Sequence, residues 1–227
     1  AGGRSRQRQT MTENPTLFPT PALANAAEHV LGAWTPRSFM IEGLAAVRAG
    51  DRATGPAYTI RLRKAATRSR QNAARALAAF DAAPAGSIVV VQATGDLGGA
   101  VVGDIIAHRL HKLGVAGVVV EGPVRDIDGL DGFGPPIWYR DAVATGLEMA
   151  ETEAEAEVEL DIGGVKVSPG VTVTVDRDGA FFLPRGQAEA ILARAAAVVA
   201  REETLHAALA DGRSLVDALG FADAAAS

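Results

Sequence analysis

Asp104, Arg125 and Asp126 are the residues of this chain whose types and spacing most directly suggest chemistry. Two carboxylates and a guanidinium, accompanied by Gly95, Gly98, Gly99 and Gly103, suit the capture of a small anion together with a divalent cation. Carboxylate oxygens are what a hard cation prefers, a guanidinium never deprotonates and so can meet an oxyanion, and glycines let a backbone approach a ligand closely. An adjacent Arg-Asp pair alone is usually a surface ion pair. The functional reading therefore depends on what carries Asp104 to that pair across twenty intervening residues.

The intervening chain reads as the device that does so. Ser87-Ile-Val-Val-Val-Gln92 is a strand, Gly95-Asp-Leu-Gly-Gly99 a turn, the stretch to about Lys112 a helix, and Ala116-Gly-Val-Val-Val-Glu121 a second strand. Both β-branched runs lack polar alternation, as strands buried on two faces of a parallel sheet do. A right-handed crossover places both post-strand loops at one sheet edge, the edge where open α/β sheets bind ligands. Asp104, one turn into the helix, faces the same rim, where free helix N-terminal amides add to the anion site.

The 227 residues suffice for one well-buried domain, and 48% hydrophobic with 22% charged residues is ordinary for a globular chain. The absence of cysteine excludes disulfides, thiolate metal ligation and cysteine nucleophiles. With no apolar run near the roughly 20 residues that span a bilayer and no signal-peptide pattern, the expected location is cytoplasmic. Residues 1–10 precede Met11, look like an expression remnant and are expected to be disordered, leaving 11–227 as a single domain. They carry three arginines and no acid, so without them the net charge is −8 rather than −5. A chain so acidic is not built around the phosphate backbone of nucleic acid, and no nucleic-acid partner is expected.

Elsewhere, a short helix from Ala22 to about Leu31 is expected to be capped by Thr20, with Pro21 at its first position. Ala57 to Arg63 alternates as a strand, with Tyr58, Ile60 and Leu62 on one face and Thr59, Arg61 and Arg63 on the other. The basic run Lys64 to Arg75 reads as a solvated loop feeding a helix from about Asn72 to Phe80, the minor alternative being that Arg68 or Arg70 reaches a substrate carboxylate. Pro135 to Tyr139 is a short strand, and the glutamates at 151, 153, 155, 157 and 159 mark a strand from Leu147 to Asp161 with a charged, exposed face. Val165–Val175 and Ala180–Leu183 form two strands around the hairpin turn Asp176-Arg-Asp-Gly179, which lacks the further oxygen ligands of a calcium loop. A long helix runs from Gln187 to about Ala210 with Gly212 at its C-cap, and an Ala-rich tail is expected to fray. His108 and His111 stand at i, i+3 on the crossover helix without a third ligand in register, so they are read as surface residues.

The spacing Asp104-x20-Arg125-Asp126 resembles the signature of the RraA-like family, which contains the 4-hydroxy-4-methyl-2-oxoglutarate aldolases and the regulators of ribonuclease activity. Gly98-Gly99, Gly103-Asp-Ile-Ile-Ala107, Leu113-Gly-Val-Ala-Gly-Val-Val-Val-Glu-Gly122 and Val124-Arg-Asp126 look like that family's core. Thr54-Gly-Pro-Ala-Tyr-Thr59, Ile162-Gly-Gly-Val-Lys-Val-Ser-Pro-Gly170 and Asp176-Arg-Asp-Gly179 resemble its outer landmarks in the right order, so the resemblance spans roughly Pro21 to Leu215. Two departures are Gly129, where the family commonly has an acid, and Val171, where it usually has Asp after Pro-Gly.

The resemblance implies a swivelling β/β/α domain, with the parallel βαβ unit as core and a second group of strands from Ala57–Arg63 and Trp138–Leu183. It implies a Mg²⁺- or Mn²⁺-dependent lyase that cleaves 4-hydroxy-2-oxo dicarboxylic acids to pyruvate and a second oxo acid. Oxaloacetate decarboxylation follows as a side reaction because both routes pass through pyruvate enolate. Asp126 is then the direct metal ligand and Asp104 orients metal-bound water, while Arg125 meets the substrate near the breaking bond. Backbone groups of Gly99, Ala100, Gly103, Ile105 and Ile106 are the candidates for binding the pyruvyl carboxylate. A homotrimer or hexamer is implied as well, with sites at subunit interfaces and a neighbour's Glu202, or alternatively Glu203, completing each one. The competing function is a non-catalytic regulator that docks on a ribonuclease, against which the retained Asp104 argues. Dinucleotide binding is disfavoured because the glycines do not fall as G-x-G-x-x-G and Asp96 opposes a pyrophosphate.

Overall fold

The computed structural model describes residues 18–32 and 36–221. The expectations for residues 1–10 and for the end of the Ala-rich tail lie outside the described residues. In chain order the elements are α1 (Thr20–Leu31), β1 (Met40–Glu42), β2 (Ala45–Ala46), β3 (Ala53–Lys64), α2 (Arg70–Asp81), β4 (Ile88–Thr94), α3 (Asp104–Leu113), β5 (Gly117–Val124), α4 (Ile127–Gly132) and β6 (Ile137–Ala142). There follow β7 (Thr152–Ala156), β8 (Leu160–Ile162), β9 (Val165–Val167), β10 (Thr172–Val175), β11 (Gly179–Phe182), α5 (Ala188–Ala210) and α6 (Leu215–Ala218).

The expected βαβ unit is present. β4 and β5 are adjacent and parallel, with Val89 opposite Val118 and Val91 opposite Val120. Alternate valines point to opposite faces, and both faces are covered. Val89, Val91, Val118 and Val120 pack with Phe80, Ala107 and Leu110 of the helical layer formed by α2 and α3. Ile88, Val90 and Val119 pack with Trp138 and with Leu160, Ile162, Val165 and Val167 of the β8–β9 ribbon. Burial of each such side chain contributes about 1.5–3 kcal/mol, which is why polar alternation is absent from these strands. A third cluster joins α1 and α5 through Leu23, Ala26, Ile191 and Ala195 to Phe181 and Leu183.

One sheet of nine strands carries all of this, in the order β1-β11-β10-β3-β4-β5-β6-β2, with β7 also paired to β3. That corrects the expected second group of strands, because Ala57–Arg63 and the Trp138 strand belong to the central parallel set. β3 is long enough to serve two neighbours on one edge: Ala53–Pro56 pair with β10, and Ile60–Lys64 pair with β7. On its other edge Ala57–Arg63 run parallel to β4.

The glutamate-rich strand is shorter than its spacing suggests. β7 is preceded by a 3-10 turn at Met149–Glu151 and ends where Glu157 takes a left-handed φ of 57°. Its carboxylates are not merely solvated. Register puts Glu155 opposite Arg61 and Glu153 opposite Arg63, with ion pairs of 3.3 and 2.9 Å that relieve the repulsion along the strand. Val165–Val175 is likewise two strands rather than one, whereas the Asp176–Gly179 hairpin turn is present and sets Val175 opposite Ala180.

Thr20 does not cap α1. Pro19 is the N-cap residue, and the first helical amide is instead met from a distant turn. Thr20 N–H donates to Asp176 Oδ2 at 2.8 Å, Thr20 Oγ1 to Asp176 Oδ1 at 2.5 Å, and Asp178 N–H to Asp176 Oδ1 at 3.0 Å. Asp176 is only 4% exposed, so this carboxylate pins the N-terminal helix to the β10–β11 hairpin. Asp176→Ala is expected to lower unfolding stability by about 1–3 kcal/mol, because it strands buried donors. Asp178→Ala, in the same turn but exposed, is expected to stay within about 0.5 kcal/mol of the parent. Equal losses in a urea titration would show that the cap does not act as described.

Candidate functional site

The rim at the C-terminal ends of β4 and β5 is assembled by the segment between β4 and α3. Ala100 bridges Gly146, through Ala100 N–H to Thr145 O at 2.8 Å and Leu147 N–H to Ala100 O at 3.1 Å. Val102 bridges Val124, with Val101 N–H to Pro123 O at 2.9 Å and Arg125 N–H to Val102 O at 3.1 Å. Residues 100–102 are thus held between the end of β5 and the loop after β6, and α3 starts directly from them. This arrangement brings Asp104 to the Arg125–Asp126 pair.

The contacts are close. Asp104 N–H donates to Asp126 Oδ2 at 3.4 Å, and Arg125 Nε lies 3.4 Å from the same oxygen. The Arg125 and Asp126 side chains each keep 40% of their surface exposed, so the pair faces solvent from a partly enclosed position. A Cβ placed on Gly103 would lie 2.8 Å from Asp126 Oδ2 and 3.1 Å from Arg125 Nε, although Gly103 has no left-handed φ. A side chain there would displace the Asp126 carboxylate and crowd Arg125, while the backbone of Gly103 itself makes no demand for glycine. Asp126 itself adopts φ 62°, ψ 39°, a left-handed conformation that costs a non-glycine residue about 1 kcal/mol or more. That turn sends the chain from β5 into α4 and leaves the Asp126 carboxylate directed back at the start of α3.

The expected substrate-binding amides separate into two groups. Ile105 N–H donates to Asp104 Oδ1 at 2.7 Å, while the Ile106 amide has no acceptor among the described residues and remains open for an anion. Ile105 is also the most solvent-exposed of the large apolar residues among those described, at 77%. Ala100, by contrast, does not offer its amide, which already donates to Thr145 O, and Gly99 is buried against the Gly146 carbonyl. These contacts build the rim, and the Ala100 amide is engaged within it. Beside it lies a cavity of about 330 Å³ lined by residues including Gly98, Gly99, Pro123, Val143 and Thr145.

Glu202 is not part of this constellation within one chain. It lies exposed on α5, which packs on α1 and α6, and it lines a different cavity with His29, Arg194 and Arg201. Glu203 is likewise exposed on α5. Arg68 pairs with Glu148 at 3.0 Å, and His108 is exposed with its ring edge-on to Phe133. No group of three or more His, Asp or Glu residues among the described residues could hold a metal, so Asp128 and Asp131 do not complete a carboxylate cluster. A Cβ at Gly129 would sit 3.7 Å from Asp104 Cβ, an ordinary van der Waals contact with that aspartate. Asp104 and Asp126 are the carboxylates at this rim that could contribute to holding a hard cation, which prefers one or two carboxylates and keeps most of its water.

Comparison with known proteins bears on what this rim belongs to. Over 161 residues, 71% of this chain, it is 32% identical to a Halalkalibacterium halodurans protein provisionally named a 4-hydroxy-4-methyl-2-oxoglutarate aldolase, 73% of which is covered. A Thermus thermophilus protein named 4-hydroxy-4-methyl-2-oxoglutarate aldolase is 38% identical over 101 residues, or 44% of this chain and 60% of that one. Among solved structures, Streptomyces coelicolor RraAS2, described as an unusual member of the RNase ES inhibitor RraA protein family, aligns with a TM-score of 0.67 and 30% identity, covering 80% of this chain and 88% of the other. The RraA-like family model, Aldolase/RraA, matches residues 21–181, which span every strand of the central parallel set together with Asp104, Arg125 and Asp126. The chain belongs to the RraA-like (Aldolase/RraA) family.

Proposed function

We propose that the protein is a divalent-metal-dependent lyase that cleaves 4-hydroxy-2-oxo dicarboxylic acids to pyruvate and a second oxo acid. The observation that carries this reading is the convergence of Asp104, Arg125 and Asp126 on one rim at the start of α3. The aldolase names of the H. halodurans and T. thermophilus relatives support the lyase class. In the reaction, the proton of the C4 hydroxyl leaves, the C3–C4 bond breaks, C4 becomes a carbonyl, and the electron pair passes into the pyruvate enolate, which is then protonated at C3.

Each residue has a part in that sequence. Arg125 faces the oxyanion that develops as the bond breaks, with a charge that does not depend on pH. The first turn of α3, with the Ile106 amide unengaged, receives the pyruvyl carboxylate. Asp126 and Asp104 would hold Mg²⁺ or Mn²⁺, Asp126 directly and Asp104 through water. When bound, the cation supplies Lewis-acid polarisation of the 2-oxo group. Because oxaloacetate loses CO₂ to give the same enolate, decarboxylation is the expected side activity. We further propose a trimer or hexamer in which Glu202 of a neighbouring copy reaches the rim and relays the hydroxyl proton through water. The exposure of Glu202, remote from the site in its own chain, is compatible with that role.

A second reading, a regulator that binds and inhibits a ribonuclease, is favoured by the similarity to RraAS2. A coupled assay of pyruvate release from a panel of 2-oxo acids with Mg²⁺ or Mn²⁺, and with chelator as control, separates the two. The lyase reading expects metal-dependent pyruvate, and its absence across the panel favours the regulator.

The same assay tests the residues. Arg125→Ala is expected to lower turnover by about 10²- to 10³-fold while leaving the folded state intact, and turnover within a few-fold of the parent would make this arginine structural. Asp126→Gly relieves the left-handed strain, so thermal unfolding at or above the parent temperature should accompany loss of turnover. A variant both destabilised and active would contradict the role given to Asp126. Glu202→Gln is expected to lose activity yet sediment like the parent, as a trimer or hexamer. An active monomer would remove the intersubunit role.

A further inference from the structure

Gly146 is a residue that nothing in the sequence marks, and its surroundings give it a defined task. A Cβ placed there would lie 2.7 Å from Arg125 Nη1, 3.1 Å from Cζ and 3.5 Å from Nη2, so the guanidinium fills the space that any side chain at 146 would need. Gly146 does not have a left-handed φ, and its own backbone conformation therefore does not demand glycine. Nor can this segment of the loop after β6 back away. Thr145 O and Leu147 N–H are bonded to Ala100 on either side of it, and behind it a Cβ on Gly99 would lie 2.5 Å from Gly146 O. Gly103 flanks Arg125 from another direction, where an added Cβ would lie 3.1 Å from both Cγ and Nε.

We propose that Gly146 and Gly103 form a slot that sets the position of the Arg125 guanidinium, with Gly146 a positioning residue for the oxyanion-binding group. The proposal rests on the lyase reading only for its kinetic consequence. The atom that a methyl group at 146 meets is the far end of a flexible side chain, whereas the backbone around it is pinned on both flanks. Adding that methyl therefore displaces the guanidinium and leaves the fold in place. A shift of about 1 Å in a group facing a developing charge costs on the order of 10²-fold in rate.

The test compares Gly146→Ala, Arg125→Ala and the double variant, with Gly129→Ala as control because its Cβ meets only an ordinary 3.7 Å contact. Oxalate, a planar mimic of the pyruvate enolate, is titrated by calorimetry with Mg²⁺ present, pyruvate release is measured in parallel, and guanidinium chloride at millimolar concentration is added to Arg125→Ala to restore turnover. Gly146→Ala is expected to unfold with the parent, to bind oxalate about tenfold more weakly and to lose most of kcat with a smaller change in KM. Guanidinium is expected to rescue Arg125→Ala, and to fail in the double variant because the added methyl occupies the slot.

Parental oxalate affinity and kcat in Gly146→Ala would overturn the proposal. If Gly146→Ala proves unstable, recovery of stability in the double variant identifies Arg125 as the group it strikes and supports the slot, while a defect that persists there overturns it. A parent that releases no pyruvate sinks the lyase reading, and the slot is then decided by the oxalate titration and by the stability of the double variant.

Discussion

The backbone hydrogen bonds that flank residues 100–102 hold the candidate site together. On one side they reach the loop after β6, through Thr145 and Leu147, and on the other the end of β5, through Pro123 and Arg125. Because α3 begins immediately afterwards, Asp104 and Ile106 inherit their positions from these bonds, and so do Arg125 and Asp126. The chemistry sits on loops, yet the loops are stitched into short extensions of the sheet. Such stitching lets the candidate site keep its geometry although it lies outside the strands.

The sheet tolerates this because its centre is supported from both faces. Helices α2 and α3 cover one face and the β8–β9 ribbon the other, so β4 and β5 cannot slip register without exposing a full row of valines. Near the outer edge, where β7 joins β3, packing gives way to charge. Arg61 and Arg63 meet Glu155 and Glu153 across the strands, partly exposed pairs of modest individual value that specify which residues face each other. At the far end of the sheet a single buried carboxylate, Asp176, ties α1 to its hairpin.

Much of the site was legible because its signals are local and periodic. The two valine runs, the glycines between them and the twenty-residue interval from Asp104 to Arg125 sufficed for a parallel unit with both post-strand loops at one edge. What escaped reading depends on distant chain. Thr20 looks like a helix cap, but the carboxylate that meets the helix lies 156 residues away. The alternation at 151–159 reads as one strand because nothing local announces the left-handed turn at Glu157. Ala57–Arg63 gave its strand and faces correctly but not its neighbours, since alternation says which side a residue faces and nothing about the strand it will pair with. Gly146 carried no signal at all, because what a side chain there would meet is the distant guanidinium of Arg125.

β3 has a consequence for how the protein is made. The strand is complete at Lys64, but the partners for one of its edges, β7 and β10, begin only at Thr152 and Thr172. A ribosome adding about 5–20 residues per second leaves that edge open for roughly 5–20 seconds. During this interval the nascent chain presents a long row of unpaired amides and carbonyls, the feature that recruits strands from other chains. The arginines along its outer half, Arg61 and Arg63, are then without their glutamates and repel a second copy of the same strand. The charge ladder of the finished sheet thus doubles as protection for the unfinished one.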